Sequence, residues 1–431
     1  MSSMSHQVKL ISSAVDRLRD ELIGFCQSFV RIPSLPGEEQ EAQLFVATKL
    51  KELSLEVDTV RSHFDELKNH PAFCDDGIPF DERINVVGRW RPAAHGNGNN
   101  ARSLILNGHV DVVPVGNQDL WDDSPWSGTI KNGNLYGRGS CDMKCGIAAG
   151  VFAVQALQQL GFTPQRDVLI ESVIGEESGG VGTLTSIVKG YRADAAVIME
   201  PTSLMMCPVQ AGALTFRIKV PGQAIHASMK RSGVSAIEKF YQILYAVNEL
   251  EQKRHRNYSH PLYDDPLGVA PISVGTVIGG DWHSTVPNEV IAEGRYGVFP
   301  GESRETARDA FAEVIHEVAA KDPWLRENPP VLEWFEGQFE SGETDVKEPI
   351  IGLLAGSHSD ITGRSPKLNG VPYGSDLRLF TNHGKIPAVL YGPGDVAHAH
   401  TVNEFIPLEE VVTCTKVLAL TIYRTCGASE L

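Results

Sequence analysis

The chain has 431 residues, and its 38 lysines and arginines against 54 aspartates and glutamates give a formal charge of −16. With 42% apolar and 21% charged residues it is neither disordered nor fibrous, and its length makes two or more domains the expectation. The acidity disfavours nucleic acid and anionic membrane surfaces as partners, and no run approaches the ~18 apolar residues that a membrane helix needs. The opening MSSMSHQVKLISS lacks the apolar stretch of a secretory signal. Seven thinly spread cysteines, an odd number, read as reduced thiols in a cytoplasmic protein. Residues 14–31 carry apolar positions at helical spacing and stop at Ile32–Pro33, and a second helix is predicted over 38–53. A short low-complexity loop follows the next strand, at 95–101. INVVGRW (84–90) and SLILNGHVDVV (103–113) read as strands, 142–162 as a long helix, VLIESVIGEE (168–177) as a strand, 183–190 as a helix and AAVIME (195–200) as a strand. That alternation implies right-handed crossovers and a mostly parallel sheet with helices on both faces, an α/β fold.

After Glu200 the texture changes. LTFRIKVPG (214–222), PISVGTVIGG (271–280) and VIAEGRYGVFP (290–300) alternate apolar and polar residues, with helical segments over 235–253 and 303–321. This is the pattern of a small antiparallel α+β unit with helices on one side. Beyond about residue 345 the first texture returns, with helices over 348–361 and 408–424 around a strand at 387–394. The prediction is an α/β domain of residues 1–212 and 341–431, interrupted by an α+β domain of residues 213–340.

In open α/β sheets, ligands bind beyond the carboxyl ends of the strands. The strands here end in His109 and Asp111, in Glu176 and Glu177, in Glu200, and in the stretch that leads to His398 and His400. The loop GRGSCD brings Asp142 to the start of the long helix. Singly, each has a plainer role: Asp142 as a helix cap, the glutamate pair as a solvated loop, His109 as a packed imidazole. Together, four carboxylates in one pocket repel one another unless cations balance them, and two zinc ions held by three carboxylates and two imidazoles would do so. No G-x-S-x-G elbow, P-loop or G-x-G-x-x-G turn occurs. Cys141 lacks a histidine partner that would mark it as a nucleophile.

GHVDVVP, YGRGSCDMKCG, GEESGG, MEPT and GPGDVAHAHTVNE, in this order, resemble the metal-site motifs of the M20 metallopeptidase family. That family holds acetylornithine deacetylase, succinyl-diaminopimelate desuccinylase and related dipeptidases and carboxypeptidases. The resemblance implies a di-zinc catalytic domain and an inserted lid domain that forms a homodimer. By the same matching His109, Asp142 and Glu200 hold one zinc, and Asp142, Glu177 and His400 the other, with Asp142 bridging. His400 rather than His398 fits the pattern H-x-x-[DN]-E, continued by Asn403 and Glu404. The resemblance further implies that the Asp111 carboxylate orients His109 and that Glu176 is the general base. In the lid, the resemblance implies that His226 reaches into the partner's active site to polarise the scissile carbonyl, whereas the residues alone read it as a surface position after a turn. The resemblance matches Asn288 and Arg295 to lid residues that contact the substrate and its carboxylate and places Arg378 of the catalytic domain near the cleft, while structural salt bridges are an equal expectation for Arg295 and Arg378.

The activity implied is zinc-dependent hydrolysis of the amide of an N-acyl amino acid, as in an acetylornithine deacetylase-like deacylase, with cobalt as a possible substitute metal. The alternatives are a dipeptidase or carboxypeptidase of the same family, a deformylase or carbamoylase of a small heterocyclic amide, and a catalytically silent metal-binding scaffold. The substrate in the leading readings is a small-molecule amide or dipeptide bearing a carboxylate. The insertion 62–82 is expected to border the cleft, and nothing in its residues argues that it selects a substrate.

Overall fold

The computed structural model describes residues 3–80, 83–92 and 101–427. The low-complexity loop, apart from Ala101, and the last two residues of segment 62–82 lie outside the described residues. The described residues of 1–208, 343–369 and 375–431 form one compact unit, and those of 209–342 and 370–374 form another.

The first unit is built on a mixed sheet. Strands Glu56–Arg61, Ile84–Trp90 and Val168–Val173 run antiparallel in succession, followed by Leu104–His109, Ala195–Ile198 and Ala388–Leu390, each parallel to its neighbour. Met206–Gln210 then pairs antiparallel with Ala388–Leu390. The parallel strands are buried along their whole length, as sheets covered on both faces require. Helix Cys145–Gln159 is apolar nearly all round and packs between this sheet and helix Leu408–Thr425. Its first turn approaches the strand Ala195–Ile198 so closely that a Cβ on Gly146 would lie 2.2 Å from the Met199 carbonyl oxygen. Only glycine fits there, and the approach brings Asp142 towards the end of that strand.

The helix predicted over 14–31 is two helices, Ser3–Arg17 and Arg19–Val30, joined at Leu18. The buried stripe Ile11, Ala14, Val15 and Leu18 extends the pattern upstream, where the polar pair Ser12–Ser13 masked it. A three-stranded sheet of Thr129–Lys131, Asn134–Tyr136 and Phe405–Pro407 was not anticipated. Its hairpin turns on Asn132 and Gly133, both at positive φ, the signature of a type I′ turn. This small sheet ties the chain before Asp142 to the chain after His400.

The second unit is an antiparallel sheet in the order Ile272–Gly279, Glu289–Val298, Gly212–Pro221, Val331–Phe339. Helices Ala236–Arg256 and Arg304–Lys321 start on the side-chain caps Ser235 and Ser303. They pack Phe240, Ile243 and Phe311 against Phe216 and Tyr296 of the sheet. The fourth strand, Val331–Phe339, was not foreseen. Its register shifts between Trp334 and Gln338, which breaks the alternation that marks a strand in sequence.

Candidate metal centre

The candidate ligands belong to the first unit and stand where its parallel strands end. His109 closes Leu104–His109, Glu176 and Glu177 follow Val168–Val173, Glu200 follows Ala195–Ile198, and His400 follows Ala388–Leu390. The irregular stretch Ser140–Lys144 delivers Asp142, whose backbone is extended rather than helical. His109 Nε2 lies 3.1 Å from Asp142 Oδ1 and 3.9 Å from Glu200 Oε1. On the other side His400 Nε2 lies 3.4 Å from Asp142 Oδ2 and 3.0 Å from Glu177 Oε1. The two oxygens of Asp142 therefore face different histidines. Ligand atoms of His109, Glu176 and Glu200 lie within 4.8 Å of one another, as do those of His109, Asp142 and Glu177. His400 holds φ at 59°, a conformation rare outside glycine and one that persists where the surrounding structure enforces it.

Burial and mutual repulsion dominate the electrostatics. Desolvation pushes the Glu176 and Glu200 carboxyls well above their ordinary range, and the neighbouring carboxylates add to it. Glu177 is raised for the same reasons, burial first and then Asp142. Hydrogen bonds to Asp142 and Glu177 hold the His400 imidazolium up to about 10. Burial opposes the charge on His109, but Asp142, Asp111 and Glu200 outweigh it and raise its pKa well above normal. Without cations this cluster keeps protons that ligands must shed. Divalent metal ions would supply the positive charge in their place, so the donor set fits such ions.

The surroundings fix these groups from behind. His109 Nδ1 lies 2.9 Å from the main-chain oxygen of Asp111, while the Asp111 carboxylate is 3.7 Å away. That carboxylate instead accepts the backbone N–H groups of Glu176 (3.2 Å) and Glu177 (3.1 Å). Asp111 thus orients the imidazole through its peptide and the glutamate loop through its side chain. Glu404 accepts the N–H groups of Cys141 (2.9 Å) and Asp142 (3.1 Å) at Oε1 and pairs with Arg138 at Oε2 (2.6 Å). Motif reading placed Glu404 only as the end of the histidine pattern, and nothing in the sequence links it to Asp142. The Cys141 thiol is raised by burial and lies 3.3 Å from the Asp395 carbonyl, so it has no nucleophile's character.

Of the remaining predicted residues, Arg378 also belongs to the first unit. It is fully buried, and its Nη2 donates to the Gly179 carbonyl at 2.8 Å, so in this conformation the guanidinium serves the glutamate loop. His226, Asn288 and Arg295 belong to the second unit. His226 is exposed, its ring fixed through Nδ1, which accepts the Ser228 N–H at 3.2 Å. Asn288 is exposed, and Arg295 donates to the Pro372 carbonyl at 3.0 Å.

The sequence and the fold both have relatives. The model for peptidase family M20/M25/M40 matches residues 105–424. N-formyl-4-amino-5-aminomethyl-2-methylpyrimidine deformylase of Bacillus subtilis is 30% identical, over 99% of this chain and 100% of its own. Acetylornithine deacetylase of Myxococcus xanthus is 27% identical, over 82% of this chain and 87% of its own. The crystal structure of an M20 family metallo-carboxypeptidase from Sulfolobus solfataricus superposes with a TM-score of 0.73 at 16% identity, covering 93% of this chain and 98% of that one. The chain therefore belongs to peptidase family M20/M25/M40, whose members are metal-dependent hydrolases.

Proposed function

We propose that this protein hydrolyses the amide bond of a small N-acylated amine at a centre of two zinc ions, which cobalt can replace. The observation that carries the reading is Asp142, set between two histidines with Glu177 and Glu200 on either side. His109, Asp142 and Glu200 would hold one ion, and Asp142, Glu177 and His400 the other. When bound, the metals polarise the amide carbonyl and bring the pKa of a water near neutrality. Glu176 would take a proton from the attacking water and return it to the leaving nitrogen. Asp111 keeps Glu176 and Glu177 in register through their N–H groups.

The second unit serves as lid and dimerisation domain, with His226 stabilising the oxyanion in the active site of a second copy. The edge strand Ile272–Gly279 supports this, because it exposes Val277 and Ile278 beside a helix that exposes Ile237, Tyr241 and Tyr245. An apolar, unpaired edge of this kind is a template for pairing with another chain. Among the described residues no helix is long and apolar enough to cross a membrane, and the seven cysteines are buried, in keeping with a reducing cytoplasm.

For the substrate, the first reading is an N-acyl amino acid whose carboxylate meets Asn288, Arg295 or Arg378. A second reading is an N-formyl derivative of a heterocyclic amine. It is favoured by the deformylase identity running along nearly the whole chain, and by the engagement of Arg295 and Arg378 with main-chain carbonyls. The test is hydrolysis by the zinc- or cobalt-loaded protein of N-formyl, N-acetyl and N-succinyl amino acids, an N-formyl aminomethylpyrimidine and simple dipeptides, with a chelated control. Chelator-sensitive release of formate from the pyrimidine alone selects the second reading. Cleavage of acyl amino acids selects the first, and dipeptide cleavage alone moves the protein to the peptidases. Glu176→Gln binds both metals and loses at least about 100-fold in turnover; a variant that keeps its rate removes Glu176 from the mechanism.

A further inference from the structure

The loop Gly175–Gly180 presents the general base and one metal ligand, and three of its residues are glycines at positive φ. A backbone so permissive holds one conformation only if its surroundings impose it. On one side Asp111 does this through the N–H groups of Glu176 and Glu177. On the other side the chain brings in residues of segment 62–82, which no motif explains. Ser178 Oγ donates to Asp76 Oδ2 at 2.8 Å, and the same oxygen accepts Arg83 Nη1 at 2.7 Å. Arg83 Nε and Nη2 in turn donate to Glu39 Oε1 at 3.2 and 2.8 Å. The side chains of Asp76, Arg83 and Glu39 are 4%, 1% and 1% exposed. Cys74 fills the space beside Gly179, where a Cβ would come within 2.6 Å of the Cys74 Cβ.

A buried cluster of two carboxylates and one guanidinium is a poor device for stability, because desolvation offsets most of the attraction. Its position is more informative. Ser178 follows Glu177 directly and lies two residues from Glu176, so the hydrogen bond to Asp76 fixes the peptide units that aim both carboxyl groups. We infer that Asp76, anchored by Arg83, is a positioning residue for the glutamate loop, and that the stretch of Cys74 and Asp76 is the outer clamp of the metal centre. The inference rests on the di-metal hydrolase reading.

Cobalt binding tests it without any substrate. Ser178→Ala removes the hydroxyl and leaves the Asp76–Arg83–Glu39 cluster intact, while Ser178→Thr keeps the hydroxyl. The expected result is that the alanine variant melts as the parent does, binds one of its two cobalt ions about 10–100-fold more weakly, and shows an altered visible cobalt spectrum. Its kcat on whichever panel amide the parent cleaves falls by a factor on the order of 10–100 while KM holds, because a displaced base is misaligned rather than lost. The threonine variant restores affinity, spectrum and kcat. Asp76→Asn, which keeps shape and removes charge, shows the same direction of effect. Parent-like cobalt affinity, spectrum and kcat in both Ser178→Ala and Asp76→Asn overturn the clamp, as does a loss that Ser178→Thr fails to restore. A parent that binds fewer than two cobalt ions overturns the di-metal reading instead, so the two failures are distinct.

Discussion

Glu171→Gln offers a test of how strictly the sheet beneath the metal centre controls charge. Glu171 lies in the middle of strand Val168–Val173 and is 0% exposed. Its Oε2 accepts a hydrogen bond from Asn107 Nδ2 at 3.2 Å, and its Oε1 has no partner among the described residues. Burial pushes its pKa up to about 8, with the charge of Asp376 adding to the effect and the Asn107 bond opposing it. Tyr191 is the other titratable group coupled to it, and Asn107 and Thr183 beside it are neutral. The folded state thus binds this proton more tightly than the unfolded chain does. Stability from the group is complete below the unfolded pKa, near 4.5, and is lost as pH rises towards 8. Each pH unit in that window costs about 1.4 kcal/mol, so between pH 5.5 and 7.5 the parent loses roughly 3 kcal/mol that the neutral glutamine does not lose. For a unit of this size that corresponds to a difference in Tm on the order of 5 °C. The assay is thermal unfolding of parent and variant at pH 5.5, 6.5 and 7.5, both stripped of metal so that loading does not change with pH. Every other titrating group is shared, and the constant offset of the substitution cancels when differences are compared across pH. The gap should widen in favour of Glu171→Gln as pH rises. A gap that stays flat would mean that Glu171 is ionised throughout, and the argument from burial would fail.

Two further outcomes bear on the centre and the assembly. Asp111→Asn turns one acceptor oxygen into a donor that faces the N–H of Glu176 or Glu177, a mismatch of about 1–3 kcal/mol. Cobalt titration should show affinity reduced by about 10–100-fold, and unchanged affinity would deny Asp111 its hold on the loop. Ile278→Lys places a charge at a 73% exposed position of the edge strand and should convert a dimer to a monomer in sedimentation. A monomer with full turnover would refute the cross-subunit role of His226.

The parallel core of the sheet was legible because strands covered on both faces read as nearly continuous apolar runs. LILNGH, VLIESV and AAVI stand out for that reason, and polar residues directly after them mark the functional edge. What sits outside that core follows other rules. Val331–Phe339 and the strands at 129–136 and 405–407 are short, half-exposed or irregular, and their pairing depends on partners distant in sequence. The groups that position the ligands were illegible for a related reason. Glu404 reaches Asp142 across 262 residues, and Asp76 reaches Ser178 across 102. Their side chains are ordinary loop carboxylates until the fold brings them to a backbone N–H or a hydroxyl.

Charge explains why such support is needed. Asp111, Asp142, Glu176, Glu177 and Glu200 bring five carboxylates into one largely buried cluster, whereas Glu404 has Arg138 for a partner and Asp376 has Arg378 near it. Two divalent cations with neutral histidines would leave that cluster with one unbalanced negative charge. The group free to resolve it is Glu176, because Asp111 is committed to two N–H donors and the other three serve as ligands in the proposed arrangement. A single proton on Glu176 makes the cluster neutral. Gain or loss of one proton on Glu176 would therefore move the cluster between neutral and singly negative, the alternation that the proposed amide hydrolysis demands of its base. Misplacing the loop that aims this carboxyl would disturb that balance as well as the geometry, and both clamps, Asp111 within and Asp76 without, bear on that loop.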